Sequence, residues 1–227
     1  NYLWPAEARS IPWEERLDRL VFRGRASCLK MQADNWHFCN RVRAAQLSLE
    51  NSAALDIGLI EWNQLYGSPK TLQEAPSAQE IESSTNVKLK PALDYLQQAK
   101  FKYVLDLDGG LGSSRKPGIL ASGSLLISQD SPWFVHWEPL AVANRHYLAV
   151  DRTLHSLPQV IESARKNPSL SQAIARNGQN FAKSFTTLTS AKKYLKILLE
   201  EYANLLDRED GWMNEEGDKP IEFDYCQ

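Results

Sequence analysis

The stretch "YVLDLDGGLGSSRKPGILASGSLLIS" (residues 103–128) combines two short apolar runs with a connection rich in glycine and serine. The runs at 103–107 and 124–128 are typical of buried strands, because they are apolar and bounded by turn-forming residues. "HYLAV" (146–150) has the same character and predicts a third strand. Strands separated by helical connections predict an α/β fold, a doubly wound parallel sheet with flanking helices.

The connection after the strand at 103–107 contains groups of the kind that bind a diphosphate. Glycines allow close approach of the backbone, and Ser113, Ser114 and Arg115 add two hydroxyls and a guanidinium at the carboxyl end of a strand. Pro117 suits the first turn of the following helix. The alternative is a simple glycine turn with Arg115 in a surface ion pair, and this segment taken alone does not decide between them.

Helical patterns dominate the rest of the chain. "WEERLDRLVF" (13–22) predicts a helical stretch inside an entry segment, and apolar spacing predicts a second helix over 37–50. Residues 67–86 are rich in Ser, Pro, Glu and Gln, which predicts a surface loop or a weakly ordered excursion. The final third predicts three helices, the last of which places four apolar residues on one core-packing face: Tyr194, Leu198, Tyr202 and Leu205.

Composition excludes several classes of protein. With 227 residues, 43% hydrophobic residues and a net charge of −2, the chain lacks the basic excess of a nucleic-acid-binding protein. No apolar run approaches the roughly 18 residues of a membrane span. The first residue is not Met and the amino-terminal residues do not resemble a signal peptide, so we expect a mature form or a fragment. Cys28, Cys39 and Cys226 lack zinc-site spacing, so we expect no metal site. Cys28 and Cys39 either form a disulfide or remain buried thiols.

Several motifs together resemble a known family. In order and spacing they are similar to the C-terminal half of the family 90 glycosyltransferases, which include protein O-glucosyltransferases and capsule-associated xylosyltransferases. The resemblance covers about residues 11–206 and is carried by "FRG" (22–24), the loop at 108–115, "LASGSLL" (120–126), His146-Tyr147 and "IARNGQNFA" (174–182). It implies one Rossmann-like lobe of a two-lobed GT-B enzyme that inverts the anomeric centre, uses a nucleotide-sugar donor and needs no metal or other cofactor.

The resemblance also implies the donor-binding residues. The loop that matches the diphosphate-binding run is Gly110, Leu111, Gly112, Ser113, Ser114 and Arg115. Arg115 would neutralise the β-phosphate as the glycosidic bond breaks. Arg41 matches the second phosphate-binding arginine. The remaining predicted donor contacts lie in and just after "FRG": Arg23, Gly24, Arg25 and Ser27.

Two departures from the family pattern concern the same site. Arg25 stands where a small polar residue is usual, and Val135 stands where Glu is usual, with Glu138 as its substitute only if the loop is shifted. For His146 and Tyr147 a structural role competes with a ligand contact. Asp108 is expected to orient the loop by accepting backbone hydrogen bonds. A hydrolase that uses Asp106 and Asp108 as a carboxylate pair fits poorly.

These observations define the expected function and domain organisation. We expect an entry segment (1–20), a nucleotide-sugar-binding domain (21–206) and a tail (207–227) that packs loosely. The donor is expected to be UDP-glucose or UDP-xylose and the acceptor a protein or glycan hydroxyl, in the endoplasmic reticulum lumen or Golgi. The catalytic base is expected upstream of this chain, so the chain alone should bind nucleotide weakly and transfer little sugar. The alternative is a degenerate or truncated lobe that acts as a binding or scaffolding module.

Overall fold

The computed structural model describes residues 5–27, 38–62, 77–110 and 112–208. The chain divides into two compact units, Asn1–Thr187 and Leu188–Gln227. The first unit contains a five-stranded sheet, and the described part of the second is one long helix. None of the described helices is long and apolar enough to cross a membrane.

The sheet is entirely parallel, and its strand order is β2-β1-β3-β4-β5. The strands are β1 (Leu17–Arg25), β2 (Leu55–Glu61), β3 (Phe101–Asp106), β4 (Leu125–Gln129) and β5 (Leu148–Val150). This order belongs to doubly wound folds, in which the chain reverses its direction of winding between β1 and β3. The prediction of a doubly wound α/β sheet, with strands near 103–107, 124–128 and 146–150, is confirmed.

The central strands are buried on both faces. Val21 of β1 pairs with Asp56 of β2 on one side and with Val104 of β3 on the other. Val21 and Val104 pack into one core layer, and Phe22 and Leu105 pack into the other. Strands covered by helices on both faces are near-continuous apolar runs, as "LVF" in β1 and "YVL" in β3 are.

Seven helices lie in the described residues. They are α1 (Asn40–Glu50), α2 (Ala78–Thr85), α3 (Tyr95–Ala99), α4 (Lys116–Ser122), α5 (Leu157–Lys166), α6 (Pro168–Phe185) and α7 (Leu188–Arg208). Capping boxes begin two of the short ones, formed by Ser77 with Glu80 at α2 and by Asp94 with Gln97 at α3. A proline occupies the first turn of α4, α5 and α6, where its missing N–H costs nothing.

The predicted helical stretch at 13–22 is wrong. Trp13–Glu15 forms one 3₁₀ turn, and β1 begins at Leu17. The charged residues that give this segment a helical appearance lie at the exposed start of the strand. Its apolar run is fully buried between two neighbouring strands. β2 was not predicted, although "LDIGLIE" is a short apolar run of the same kind.

The predicted loop at 67–86 is only partly described. Residues 67–76 lie outside the described residues, whereas Ala78–Thr85 forms α2, so the loop prediction is wrong there. Ile81 is fully buried and anchors this helix to the core. The helix predicted over 37–50 is observed from Asn40. The apolar spacing that predicted this helix includes Phe38 and Leu49, and both side chains are exposed.

The apolar residues of α7 do not form a core. Tyr194, Leu198, Tyr202 and Leu205 are 46–60% exposed, so the core-packing prediction is wrong for them. Their spacing correctly predicts a helix with an apolar face, but spacing does not determine what covers that face. The predicted tail after this helix lies outside the described residues.

Gly178 permits close packing of α6 against the loop before β5. A Cβ atom at this position would lie 2.4 Å from the His146 carbonyl oxygen and 2.9 Å from Leu120 Cδ2. Glycine in a helix interior is normally unfavourable by about 1 kcal/mol. Position 178 therefore requires glycine because α6 packs too closely against His146 and Leu120 to admit a side chain.

We predict that Gly178→Ala lowers the free energy of unfolding by about 1–2 kcal/mol, because overpacking against fixed backbone costs more than the gain in helix propensity. Thermal and urea denaturation would measure the change. Asn177→Ala, at an exposed neighbouring position on α6, is the matched control and should leave stability unchanged or slightly higher. Equal stability of Gly178→Ala and the wild type would contradict the packing argument.

Candidate nucleotide-binding site

Arg41 joins the carboxyl ends of β1 and β3. It lies in the first turn of α1, and its Nε donates to the Asp108 carbonyl (2.9 Å) while Nη2 donates to the Leu107 carbonyl (3.0 Å). Nη1 donates to the Arg25 carbonyl (2.9 Å) and to Ser27 Oγ (2.8 Å). These carbonyls lie where the strands end, so one side chain fixes the two strand ends at the switch point of the sheet.

Two glycines leave room for this arrangement. A Cβ at Gly109 would lie 2.9 Å from Ser27 Oγ and 3.1 Å from Arg41 Nη2. A Cβ at Gly24 would lie 2.8 Å from the Phe22 ring. Gly109 was not among the predicted site residues. The signal for it was the Gly-Gly pair directly after β3.

Arg115 lies at the other side of the same crevice. It immediately precedes α4, and its guanidinium carbon is 5.1 Å from the centroid of the Phe22 ring. Its Nη2 donates to Gln98 Oε1 at 2.6 Å. The guanidinium of Arg41 lies 5.5 Å from the same ring. One fully buried phenylalanine thus supports both arginines through cation–π contacts.

Asp106, the last residue of β3, fixes the loop that precedes α4 through a hydrogen bond with Ser113. It is buried and accepts a hydrogen bond of 2.5 Å from Ser113 Oγ, which in turn accepts from the Arg115 backbone N–H at 3.3 Å. Burial raises the pKa of Asp106, although the Arg115, Lys116 and Arg41 charges oppose this effect. Burial also lowers the pKa of Arg115. The chain Asp106–Ser113–Arg115 holds the loop over the end of its own strand.

Two of the predicted donor-binding residues, Arg23 and Arg25, do not lie in the crevice. Arg23 points to the opposite side of β1 and forms an ion pair of 3.0 Å with Asp56, and Arg25 pairs with Glu61 at 2.9 Å. Their guanidinium groups are therefore engaged with β2. The structure gathers five predicted residues around the crevice: Gly24, Ser27, Arg41, Ser113 and Arg115.

The remaining predicted loop residues flank that cluster. Gly110 is buried, whereas Gly112 and Ser114 are exposed. A Cβ at Gly112 would lie 2.6 Å from Trp133 Cβ, so this glycine lets the loop pass close to the segment after β4. Leu111 lies outside the described residues.

A pocket of about 300 Å³ opens next to the loop, at the carboxyl end of β4. Its volume lies at the lower limit for ligand pockets, about 300–1,000 Å³. Aromatic rings and polar groups of 128–131 line it, among them Phe134, Trp137, Tyr147, Ser128 and Gln129. Within it, Lys116 and Glu138 form an ion pair of 3.0 Å. Burial raises the pKa of Glu138, although Lys116 opposes this effect.

Lys116 and Glu138 were missed as a pair by the sequence analysis. Their 22-residue separation gives no local signal. Val135, at the position where the family usually has Glu, is an exposed residue of the same loop.

The contacts of His146 and Asp108 show what each residue does in the fold. His146 Nδ1 accepts from the Val142 N–H at 2.9 Å, its ring lies 4.8 Å from that of Phe181, and burial lowers its pKa. The Asp108 backbone is hydrogen-bonded, with its N–H donating to Gln129 Oε1 at 3.2 Å. Among the described residues its carboxylate accepts no hydrogen bond, so the predicted loop-orienting role of that side chain is wrong.

Cys39 is disulfide-bonded. This corrects the alternative of a buried free thiol for that residue. Within the described ranges no group of three or more His, Cys, Asp or Glu residues could hold a metal ion.

The strand order, the glycine-rich turn and the arginine-lined crevice define a doubly wound, Rossmann-like α/β domain. The family model described as "Glycosyl transferase family 90" matches residues 5–215. The chain belongs to this family, and the resemblance inferred from its motifs is confirmed.

Curated relatives include protein O-glucosyltransferases at low identity. Human protein O-glucosyltransferase 3 is 27% identical over 191 residues, which cover 84% of this chain and 33% of that protein. Human protein O-glucosyltransferase 1 is 22% identical over 199 residues, which cover 88% of this chain and 45% of that protein. The chain therefore spans between a third and a half of the length of these relatives.

Solved structures support the GT-B assignment of the fold. Sucrose-phosphate synthase from Thermosynechococcus elongatus superimposes with a TM-score of 0.52 at 11% identity, covering 89% of this chain and 50% of that one. Anabaena HepE in complex with UDP-glucose gives a TM-score of 0.52 at 11% identity, covering 81% of this chain and 49% of that one. This chain thus corresponds to one Rossmann-like lobe of a GT-B glycosyltransferase.

We predict that Arg41→Lys lowers the free energy of unfolding by about 2 kcal/mol or more, because a lysine cannot replace the planar fork that bonds both strand ends. The corresponding fall in melting temperature is about 4–8 °C for a chain of this size. Arg43→Lys, two residues further along the same helix, is the control and should change stability by less than about 0.5 kcal/mol. Similar losses in both variants would contradict the specific role of Arg41.

Asp106→Asn should alter the pH dependence of stability. The folded-state pKa of Asp106 is raised, so folding favours its protonated form; this contribution is fully present below the unfolded value of about 3.9 and is lost as the pH rises from there through the raised folded-state pKa. Asparagine stays neutral, so the stability of the variant relative to wild type should improve as the pH rises from about 4 towards neutral. Urea denaturation across this range measures the difference. Asp130→Asn, at an exposed position, is the control, and a pH-independent difference for Asp106→Asn would refute the argument.

Proposed function

We propose that this chain is the nucleotide-sugar-binding part of an inverting glycosyltransferase that uses a UDP-sugar, UDP-glucose or UDP-xylose. The observation that carries the proposal is the crevice at the switch point, where Arg115 lies beside a glycine-rich loop and next to the pocket at the end of β4. In open α/β sheets, ligands bind outside the carboxyl ends of the strands at this point. Family membership and the UDP-glucose complex of a protein with the same fold support the same ligand class.

The pocket and the crevice suit different parts of such a donor. Phe134, Trp137 and Tyr147 offer flat apolar surfaces for a base, and Ser128 and Gln129 offer hydrogen bonds to it. The loop that leads to Arg115 begins beside this pocket. A nucleoside in the pocket would therefore place its diphosphate along the loop.

Arg115 is proposed to bind the diphosphate directly. Among the described residues its guanidinium makes one hydrogen bond, to Gln98, and it lies on the Phe22 ring, so its position is fixed while donors remain for a ligand. Negative charge develops on the β-phosphate as the bond to the sugar breaks. A preorganised guanidinium in a partly dry crevice stabilises that charge more than it stabilises the ground state.

Arg41 is proposed to act mainly as a positioning residue. Its described hydrogen bonds are made to carbonyl and hydroxyl oxygens of the protein. Its positive charge still lies close to the loop. Arg115 and Lys116 add two further cations, so we propose that donor binding requires no metal ion.

The remaining features of the enzyme are also proposals. The acceptor is proposed to be a protein or glycan hydroxyl, in keeping with the protein O-glucosyltransferases among the relatives. No described carboxylate is assigned as the base, and we propose that the base lies in a region of the relatives that this chain does not span. The disulfide at Cys39 supports a secretory compartment, the endoplasmic reticulum lumen or Golgi.

Calorimetric titration with UDP tests the proposal. We expect saturable binding to the wild type and a loss of about 10- to 150-fold in Arg115→Ala, the equivalent of the 1.5–3 kcal/mol typical of a hydrogen bond to a charged group. Arg145→Ala, which removes an exposed arginine, is the control and should bind UDP like the wild type. Titrations with UDP-glucose, UDP-xylose and GDP-glucose then compare donors, and we expect GDP-glucose to bind most weakly.

Three outcomes would count against this proposal. A folded chain that shows no UDP binding at millimolar concentration would favour the binding or scaffolding module. Unchanged affinity in Arg115→Ala would move the diphosphate away from the crevice. Robust sugar transfer by this chain alone would contradict the assignment of the base to another region.

A further inference from the structure

A second polar pocket lies at the opposite edge of the sheet, where the strands begin. We call it the amino-edge pocket. It has a volume of about 380 Å³. It is bordered by Arg16, just before β1, by Gly123, just after α4, and by the amino-terminal part of α6. Its lining is Arg9, Ile11, Trp13, Arg16, Gly123, Ser169, Gln172, Ala173, Arg176 and Gln179.

The charge of the amino-edge pocket is one-sided. Three of its ten lining residues are arginines and none is acidic. Arg9 and Arg176 are exposed and form no ion pair with the described residues. The Glu14 carboxylate accepts a hydrogen bond of 3.0 Å from the Gln172 amide, but Glu14 does not line the pocket.

Arg16 is a buried cation without a carboxylate partner. It is only 4% exposed, and its terminal nitrogens donate to neutral oxygens, among them the carbonyls of Ala99 (2.6 Å) and Ser122 (2.9 Å). Its Nε atom is buried and has no hydrogen-bond partner. Burial lowers its pKa to about 10, with no opposing contribution from a nearby acid. Buried charges are normally paired, so this guanidinium lacks the counter-ion that its environment calls for.

The amino end of α6 adds a second source of positive potential. Ser169, in the first turn of this 18-residue helix, lines the pocket. No side chain caps the first turn, and unsatisfied N–H groups at a helix start favour anions. Gln172 and Gln179, on the same face, also line the pocket, and their amide nitrogens donate to Glu14 Oε1 (3.0 Å) and to the Ala121 carbonyl (3.3 Å).

We propose that the amino-edge pocket binds a tetrahedral oxyanion, the phosphate or sulfate group of an ester. The exposed guanidinium groups of Arg9 and Arg176 and the start of α6 supply the donors that such a group needs, and the buried charge of Arg16 adds positive potential beside them. The pocket lies within the range of about 300–1,000 Å³ typical of ligand sites, so it leaves room for the group that carries the oxyanion. This site lies at the strand edge opposite the proposed UDP-sugar site and does not depend on it.

Calorimetry and NMR with inorganic phosphate, sulfate, glucose 6-phosphate and acetate, at constant ionic strength set by chloride, test the proposal. We expect saturable binding of the phosphate and sulfate ions with a dissociation constant near or below about 1 mM, and tighter binding of the ester. Acetate should not saturate. Equal binding of acetate would overturn the tetrahedral assignment, and an ester that binds no better than inorganic phosphate would overturn the assignment to an ester.

Variants locate the bound ion. Arg176→Ala and Arg9→Ala should each weaken binding about tenfold, whereas Lys183→Ala, the same change of charge at the other end of α6, should not. Arg16 is left intact because its bonds join several elements and its loss would endanger folding. Loss of binding in Arg115→Ala but not in Arg176→Ala would place the ion in the crevice and overturn the proposal. The absence of saturable binding in the folded wild type would do the same.

Discussion

The site depends on Arg41, whose four described hydrogen bonds join the ends of β1 and β3. Parallel strands end with carbonyl groups that have no partner in the sheet, and at the switch point no helix passes directly from β1 to β3 to cover them. Arg41 supplies donors to three such carbonyls and to Ser27 Oγ. The glycine at position 109 then lies directly against this guanidinium, so the loop starts from a surface that the arginine has fixed. The positions of Ser113 and Arg115 follow from that start and from the hydrogen bond between Ser113 and Asp106.

The charges around the crevice are arranged at a cost in free energy. Arg115 and Lys116 are withdrawn from water next to Asp106 and Glu138, and burial shifts the pKa of both acids upward in spite of their cationic neighbours. Desolvation therefore outweighs the attraction within the protein. A bound diphosphate would add negative charge where the cations lie. A preorganised binding site is expected to hold cations in this way, so that under the proposed function the bound diphosphate would offset part of this cost.

The sequence predicted the parts of the fold that rest on local patterns. β3, β4 and the loop between them were predictable, because short apolar runs bounded by glycine have few other structures. The segment 13–22 was not, because its charged residues imitate helical spacing while its burial is decided by two neighbouring strands. The assignment of Arg23 and Arg25 to the donor site has a different cause, since the family resemblance at "FRG" does not take the direction of each side chain into account. In a strand, successive side chains point to opposite faces, so Phe22 and Gly24 face the crevice while Arg23 and Arg25 face away. Lys116 and Glu138 meet only through tertiary structure, which no local pattern predicts.

Three arginines of the first unit differ in how the protein uses their N–H donors. Arg41 is surrounded by protein oxygen atoms, and its described bonds hold strand ends together. Arg16 likewise bonds carbonyls from several elements, yet its Nε atom lacks a partner and no acid balances its charge. Arg115 makes a single described hydrogen bond and is held mainly by the face of Phe22, which takes none of its N–H groups. A guanidinium has five N–H donors in a fixed plane. What distinguishes a ligand-binding arginine from a structural one is therefore the number of these donors that the protein leaves unused after it has fixed the plane.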